Sequence, residues 1–118
     1  MKRIIIYSYP KCSTCRKASK WLDQNNINYQ LIDIVREPPS KKFLELALRQ
    51  FSFDIKKIFN TRGKNYKLIK FDIHDLTKEK IIELLSNDGR LIKRPFLIIN
   101  ESKLILGFNE SEYKAILI

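Results

Sequence analysis

The stretch Tyr9-Pro10-Lys11-Cys12-Ser13-Thr14-Cys15-Arg16-Lys17 holds both cysteines of the chain, with two residues between them. The apolar run Ile4-Ile5-Ile6-Tyr7 precedes it, and Ala18, Trp21 and Leu22 follow at helical spacing. This order reads as strand, tight loop, helix, with Cys12 just before the helix and Cys15 in its first turn. A C-x-x-C at such a junction is a redox signature. Unpaired N–H groups and the positive end of the helix dipole lower a thiol's pKa, so more of it is present as nucleophilic thiolate. Lys11, Arg16 and Lys17 add positive charge beside it. Cys12 is the candidate nucleophile, and Cys15 the resolving thiol one turn on.

Other uses of two cysteines fit less well. Buried structural cysteines behave as small hydrophobes, whereas these sit among Lys, Ser and Arg. A zinc site takes about four ligands. Cys12, Cys15 and His74 fall short without a carboxylate or a second subunit, so no metal is expected. A static disulfide between i and i+3 closes too small a loop to stabilise much. Redox chemistry or redox sensing is the favoured reading.

At 118 residues, the chain is expected to form one domain over 1–118, long enough for a proper core. Hydrophobic content is 44%, with only 3 Gly and 4 Pro, which argues against disorder. Met1-Lys2-Arg3 and the short apolar run after it are too brief for a signal peptide or a membrane span. The thiols are therefore expected in a reducing cytoplasm, where a cysteine pair is more often catalytic or sensory than structural. The net charge of +10 suits an acidic surface, an oxyanion or a polyanion. The lysines are scattered singly, however, and no nucleic-acid motif accompanies them. Direct nucleic-acid binding is not expected.

Taken in order, Arg3 to Ser8 reads as a buried strand and Ser13 to Asn25 as a helix. Tyr29 to Ile34 reads as a second strand, completing a right-handed β-α-β unit with parallel strands. Pro38-Pro39-Ser40 punctuates the chain, with Ser40 placed as an N-cap. Phe43, Leu44, Ala47, Leu48 and Phe51 then share a helical face. Asp54 to Phe59 and Lys64 to Ile69 read as short helical pieces. Thr77 caps a helix carrying Ile81, Ile82, Leu84 and Leu85, which Asp88-Gly89 stops. Residues 40–88 thus form a helical insert. Phe96 to Ile99 and Lys103 to Leu106 form an antiparallel hairpin. Asn109, with Glu112 at N3, opens a last helix in a capping-box arrangement. The fold class is α/β: a four-stranded mixed sheet, βαβ then ββα, with helices inserted between the halves. That is the thioredoxin-like layout.

Four markers in order carry a resemblance over essentially the whole chain. They are Tyr9 to Ala18, Asn60-Thr61-Arg62-Gly63-Lys64, Lys93-Arg94-Pro95-Phe96 and Gly107-Phe108-Asn109-Glu110. They resemble the arsenate reductase-like family, which includes glutaredoxin-coupled arsenate reductases and Spx-type transcription regulators. The resemblance implies that Cys12 attacks arsenate and that Arg62 and Arg94 hold the oxyanion. Guanidinium forks suit this because they bind tetrahedral oxyanions in bidentate fashion. Arg94-Pro95 matches the cis-proline site of thioredoxin-like proteins, with Lys11, Arg16 and Pro95 supporting the active loop. No bound cofactor is implied, and glutathione, glutaredoxin or thioredoxin would supply electrons.

Two departures separate this chain from the arsenate reductases. Their third arginine, after the last hairpin, has no counterpart in Gly107-Phe108-Asn109-Glu110, and a nearby carboxylate would repel arsenate. They usually lack a second cysteine at the position of Cys15. Both features look more like the Spx branch. Those regulators dock on the C-terminal domain of the RNA polymerase α-subunit through a region containing a glycine, for which Ser52-Phe53-Asp54 offers none. Two functions follow from the resemblance. One is a thiol-disulfide redox protein reducing arsenate or another oxidised substrate. The other is a redox-sensing regulator that binds RNA polymerase through a Cys12–Cys15 switch.

Overall fold

Strand β1 (Ile4–Ser8) is buried along its whole length, because it lies inside the sheet with helices on both faces. In the computed structural model, which describes residues 2–118, it pairs in parallel with β2 (Gln30–Asp33). On its other side it pairs antiparallel with β3 (Phe96–Ile99). β3 in turn pairs antiparallel with β4 (Lys103–Leu106), giving the order β2-β1-β3-β4. Helix α1 (Ser13–Gln24) joins β1 to β2, and α5 (Glu110–Leu117) follows β4. The insert contributes α2 (Lys41–Gln50), the single turn α3 (Lys64–Lys67) and α4 (Lys78–Asn87). This is the thioredoxin-like layout that the sequence predicts.

Strand periodicity divides the core in two. Ile5, Tyr7, Phe96, Ile98 and Leu104 face the insert and pack with Leu44, Leu48, Ile58, Phe59, Ile82 and Leu85. Ile4, Ile6, Leu97, Ile99 and Ile105 face the opposite way, against Ala18, Trp21 and Leu22 of α1 and Tyr113 and Leu117 of α5. Each fully buried Leu or Ile contributes about 1.5–3 kcal/mol, so neither layer is dispensable.

The N-termini of the four longer helices follow the capping rules with one exception. Thr77 Oγ1 accepts the Lys80 N–H at 3.2 Å, and Asn109 Oδ1 accepts the Glu112 N–H at 3.0 Å. Ser40 occupies the N-cap of α2, but its hydroxyl makes no capping bond. Its carbonyl instead accepts from Phe43 and Leu44. Two expected helical pieces are shorter than the sequence suggests. Residues 54–59 yield only a 3₁₀ turn at Ile55–Lys57, and residues 64–69 yield only α3. Both lie where few apolar residues repeat at helical spacing, so packing supports a single turn and no more.

The insert and the sheet meet just before β3. Phe59 pairs with Ile92 in an isolated antiparallel bridge. The Lys93 N–H donates to Ile58 O at 2.7 Å, and the Asn60 N–H to Leu91 O at 2.8 Å. No helix among the described residues is long and apolar enough to cross a membrane.

Candidate active site

The chain leaves β1 at Ser8 and re-enters regular structure at Ser13, which places Cys12 at the N-cap of α1. Its backbone is extended, with φ −94° and ψ 114°. Its N–H donates to Tyr9 O at 3.0 Å, and its carbonyl accepts the Arg16 N–H at 3.1 Å. The sulfur fills the seat that a serine or aspartate oxygen takes in ordinary caps. There it accepts the Cys15 N–H at 3.3 Å. An N-cap seat on a helix of 12 residues favours negative charge.

The two thiols are driven apart in acidity. Burial alone would raise Cys12. Hydrogen bonds from the Cys15 side chain and backbone, followed by the hydrogen bond and charge of Arg94, outweigh it and hold Cys12 below its ordinary value. Cys15 moves the other way. Burial, together with donation of its own S–H to the Cys12 sulfur, pushes it up to about 11. Cys12 is half-buried and Cys15 is 1% exposed, and both are free thiols. The pair thus consists of a more accessible thiol held low and a sheltered thiol held high.

Arg94 reaches this sulfur from the head of β3. The Arg94-Pro95 peptide is cis, Pro95 is buried, and the guanidinium lies over the Tyr9 ring at 5.0 Å from its centroid. Arg62 comes from the loop after Phe59. That loop is held by the Asn60–Leu91 bond and by the Gly63 N–H donating to Asn60 O at 3.1 Å. A side chain at Gly63 would place its Cβ 2.6 Å from the Asn60 amide nitrogen, so the Asn60 side chain packs closely over it.

A cavity of about 620 Å³ opens over Cys12. Arg62 and Arg94 line it, and so do Lys56, Lys93 and Asn109. Four cationic side chains share this cavity with Cys12. Among the described residues, none of the four is in an ion pair and no acidic side chain lines the cavity. Glu110, expected to oppose an anion here, sits exposed at the start of α5 and does not line it. Asn109 does, although its Oδ1 is committed to the α5 cap.

Not every candidate gathers at the cavity. Lys11 is exposed and does not line it. Arg16 donates from Nη1 to Pro10 O at 2.8 Å and borders a separate cavity, between α1 and β2, together with Cys15. His74 is exposed, with Nδ1 3.0 Å from Asp72 Oδ1. Sequence reasoning missed Lys56 and Lys93. The only signal for Lys93 is its place beside Arg94, and Lys56 has none, since only the fold of the insert brings it to Cys12.

The sequence model of the ArsC family matches residues 7–116, from β1 into α5. The chain belongs to the ArsC family. It is 39% identical over 113 residues to the protein YusI of Bacillus subtilis, covering 94% of this chain and 95% of that protein. It is 31% identical over 114 residues to the global transcriptional regulator Spx of Lactiplantibacillus plantarum, covering 97% of this chain and 86% of the regulator. A solved structure from Streptococcus mutans, described as a possible arsenate reductase, superposes with a TM-score of 0.85 at 35% identity. That superposition covers 97% of this chain and 99% of the other. Membership of the ArsC family and its Spx-type relatives places the chain among thiol redox proteins. The ArsC match spans all three segments that build the cavity, around Cys12, Arg62 and Arg94.

Proposed function

We propose that this ArsC-family protein is a cytoplasmic, single-domain thiol reductase with Cys12 as nucleophile and Cys15 as resolving thiol. The observation that carries the reading is the N-cap seat of Cys12 Sγ beneath cations that have no carboxylate partner. With arsenate as substrate, Arg62 and Arg94 hold the oxyanion while Cys12 Sγ attacks arsenic and a water leaves. Cys15 then attacks Cys12 Sγ and gives up its proton. The S–As electron pair passes to arsenic, releasing arsenite and leaving a Cys12–Cys15 disulfide. Two thiol equivalents from glutathione, glutaredoxin or thioredoxin restore the dithiol. Raising Cys15 to about 11 suits the sequence of events, since the resolving thiol stays protonated until the first adduct forms.

An NADPH-linked assay with glutathione, glutathione reductase and glutaredoxin tests the reading. Consumption that depends on arsenate, or on a disulfide substrate, and disappears in Cys12→Ser supports it. No consumption with either substrate class rejects the reductase.

A second reading, a redox-sensing regulator that binds the α-subunit of RNA polymerase, draws support from a loop as well as from the Spx relative. Ser52 and Phe53 adopt φ of 53° and 60°, the left-handed region that glycine favours. The loop therefore has the backbone form that a glycine would give, with Phe53 exposed. Co-purification with the C-terminal domain of that polymerase subunit in one redox state would favour it, and failure in both would remove it.

A further inference from the structure

We propose that Lys93 is a specificity-determining residue of the Cys12 cavity, holding a second anionic group of a substrate larger than a single tetrahedral oxyanion. This rests on the reading of Cys12 as the nucleophile. The cavity is about 620 Å³, within the range of about 300–1,000 Å³ that accommodates drug-sized ligands and about twenty times the volume of a water at about 30 Å³. One tetrahedral oxyanion between Arg62 and Arg94 leaves most of it unfilled.

Lys93 is exposed, but it lines the cavity from an anchored backbone. Its backbone is fixed on one side by donation to Ile58 O at 2.7 Å and on the other by the Arg94-Pro95 junction. Its side chain lies over the buried turn at Gly107. A side chain at Gly107 would set its Cβ 3.3 Å from Lys93 Cε and 4.0 Å from Nζ. Gly107 also has φ +77°, so the turn both needs glycine and leaves room for the lysine stem. The ammonium thus stands at the wall after the last hairpin, where no arginine is present. It has no carboxylate partner among the described residues.

The chemistry of that cation sets the substrate class. Arg94 acts on the Cys12 sulfur, so it holds charge at the reacting centre. Lys93, an ammonium on a flexible stem, reads a point charge rather than a bidentate fork. The fitting substrate is an oxidised molecule with a carboxylate or similar anion some distance from the atom that Cys12 attacks.

Two disulfide probes of similar shape test this. Dithiobis(nitrobenzoate) carries a carboxylate on each ring, and dithiodipyridine is neutral. The ratio of their rates with the reduced protein is measured in the wild type, in Lys93→Ala and Lys93→Arg, and in Lys103→Ala. The last removes the same charge at the far end of β4. The ratio should fall about fivefold in Lys93→Ala, as expected for loss of one cation at contact distance in water. It should recover in Lys93→Arg and stay within about twofold of wild type in Lys103→Ala. An unchanged ratio in Lys93→Ala, or an equal fall in Lys103→Ala, overturns the role of Lys93 and leaves the Cys12 reading standing. Retention of the dithiodipyridine reaction in Cys12→Ser overturns the Cys12 reading and the proposal with it.

Discussion

The backbone N–H of Cys15 donates to Cys12 Sγ at 3.3 Å, so the resolving residue stabilises the nucleophile before it ever attacks it. The same spacing of three residues serves two purposes. It caps α1 with a sulfur, and it keeps the second thiol within reach of the first. Substituting either cysteine therefore gives a different result. Cys12→Ser should lose rapid alkylation by iodoacetamide at neutral pH. Cys15→Ser keeps the backbone donor, so it should still alkylate at Cys12 and should accumulate a stable mixed disulfide with glutathione. Peptide mass mapping distinguishes the two.

Arg94 lowers Cys12 through a hydrogen bond and its charge, and replacing it should raise the thiol. In Arg94→Ala the alkylation midpoint should move up, with a smaller thiolate fraction at neutral pH. Arg94→Lys should recover only part of this, because an ammonium lacks the planar fork. The pH profile of alkylation gives both values. An unmoved midpoint would assign the lowering of Cys12 to the helix terminus alone.

Stability should depend on pH through Cys15. Its pKa is raised from 9.0 to about 11 in the folded protein, so the native state holds that proton more tightly than the unfolded chain does. The resulting stabilisation is fully present below pH 9 and is lost as pH rises towards about 11. Cys12 acts with the opposite sign: its lowered pKa contributes stability above the ordinary thiol range, lost as pH falls. Urea unfolding under reducing conditions should show wild type losing more stability than Cys15→Ala between pH 9 and 11. Parallel curves would contradict the shift.

Of the three glycines, Gly89 makes the tightest backbone approach. A Cβ there would lie 1.8 Å from Ile34 O, which no rotamer change can relieve. Gly89→Ala should destabilise the protein by about 3 kcal/mol or more and lower Tm by roughly ten degrees. Phe59→Ala acts on the neighbouring link. Phe59 is 1% exposed, and its loss should cost about 3–5 kcal/mol. It should also loosen Arg62, reducing any protection of Cys12 by arsenate.

The sheet and the active loop were legible because their signals are local. Three successive isoleucines mark a strand covered on both faces, and a thiol before an amphipathic run marks a helix cap. The thin places were the insert and the cavity wall. Residues 54–59 carry too few periodic apolar positions to declare a single 3₁₀ turn. Lys56 shares the cavity with Cys12 through the fold of the insert, where Phe59 pairs with Ile92, a contact between segments far apart in the chain. Glu110 looked adjacent to the anion site because it adjoins Asn109. Asn109 is the N-cap of α5 and Glu110 its first residue, and only Asn109 lines the cavity.

The most direct test of the account is the mass of the reduced protein after brief treatment with oxidised glutathione, alongside Cys15→Ser. The wild type should pass rapidly to a Cys12–Cys15 disulfide, two mass units (~2 Da) below the dithiol. The variant should stop at one glutathione on Cys12. A wild type that stays fully reduced, or a Cys15→Ser variant that takes up no glutathione, would contradict the assignment of nucleophile and resolving thiol.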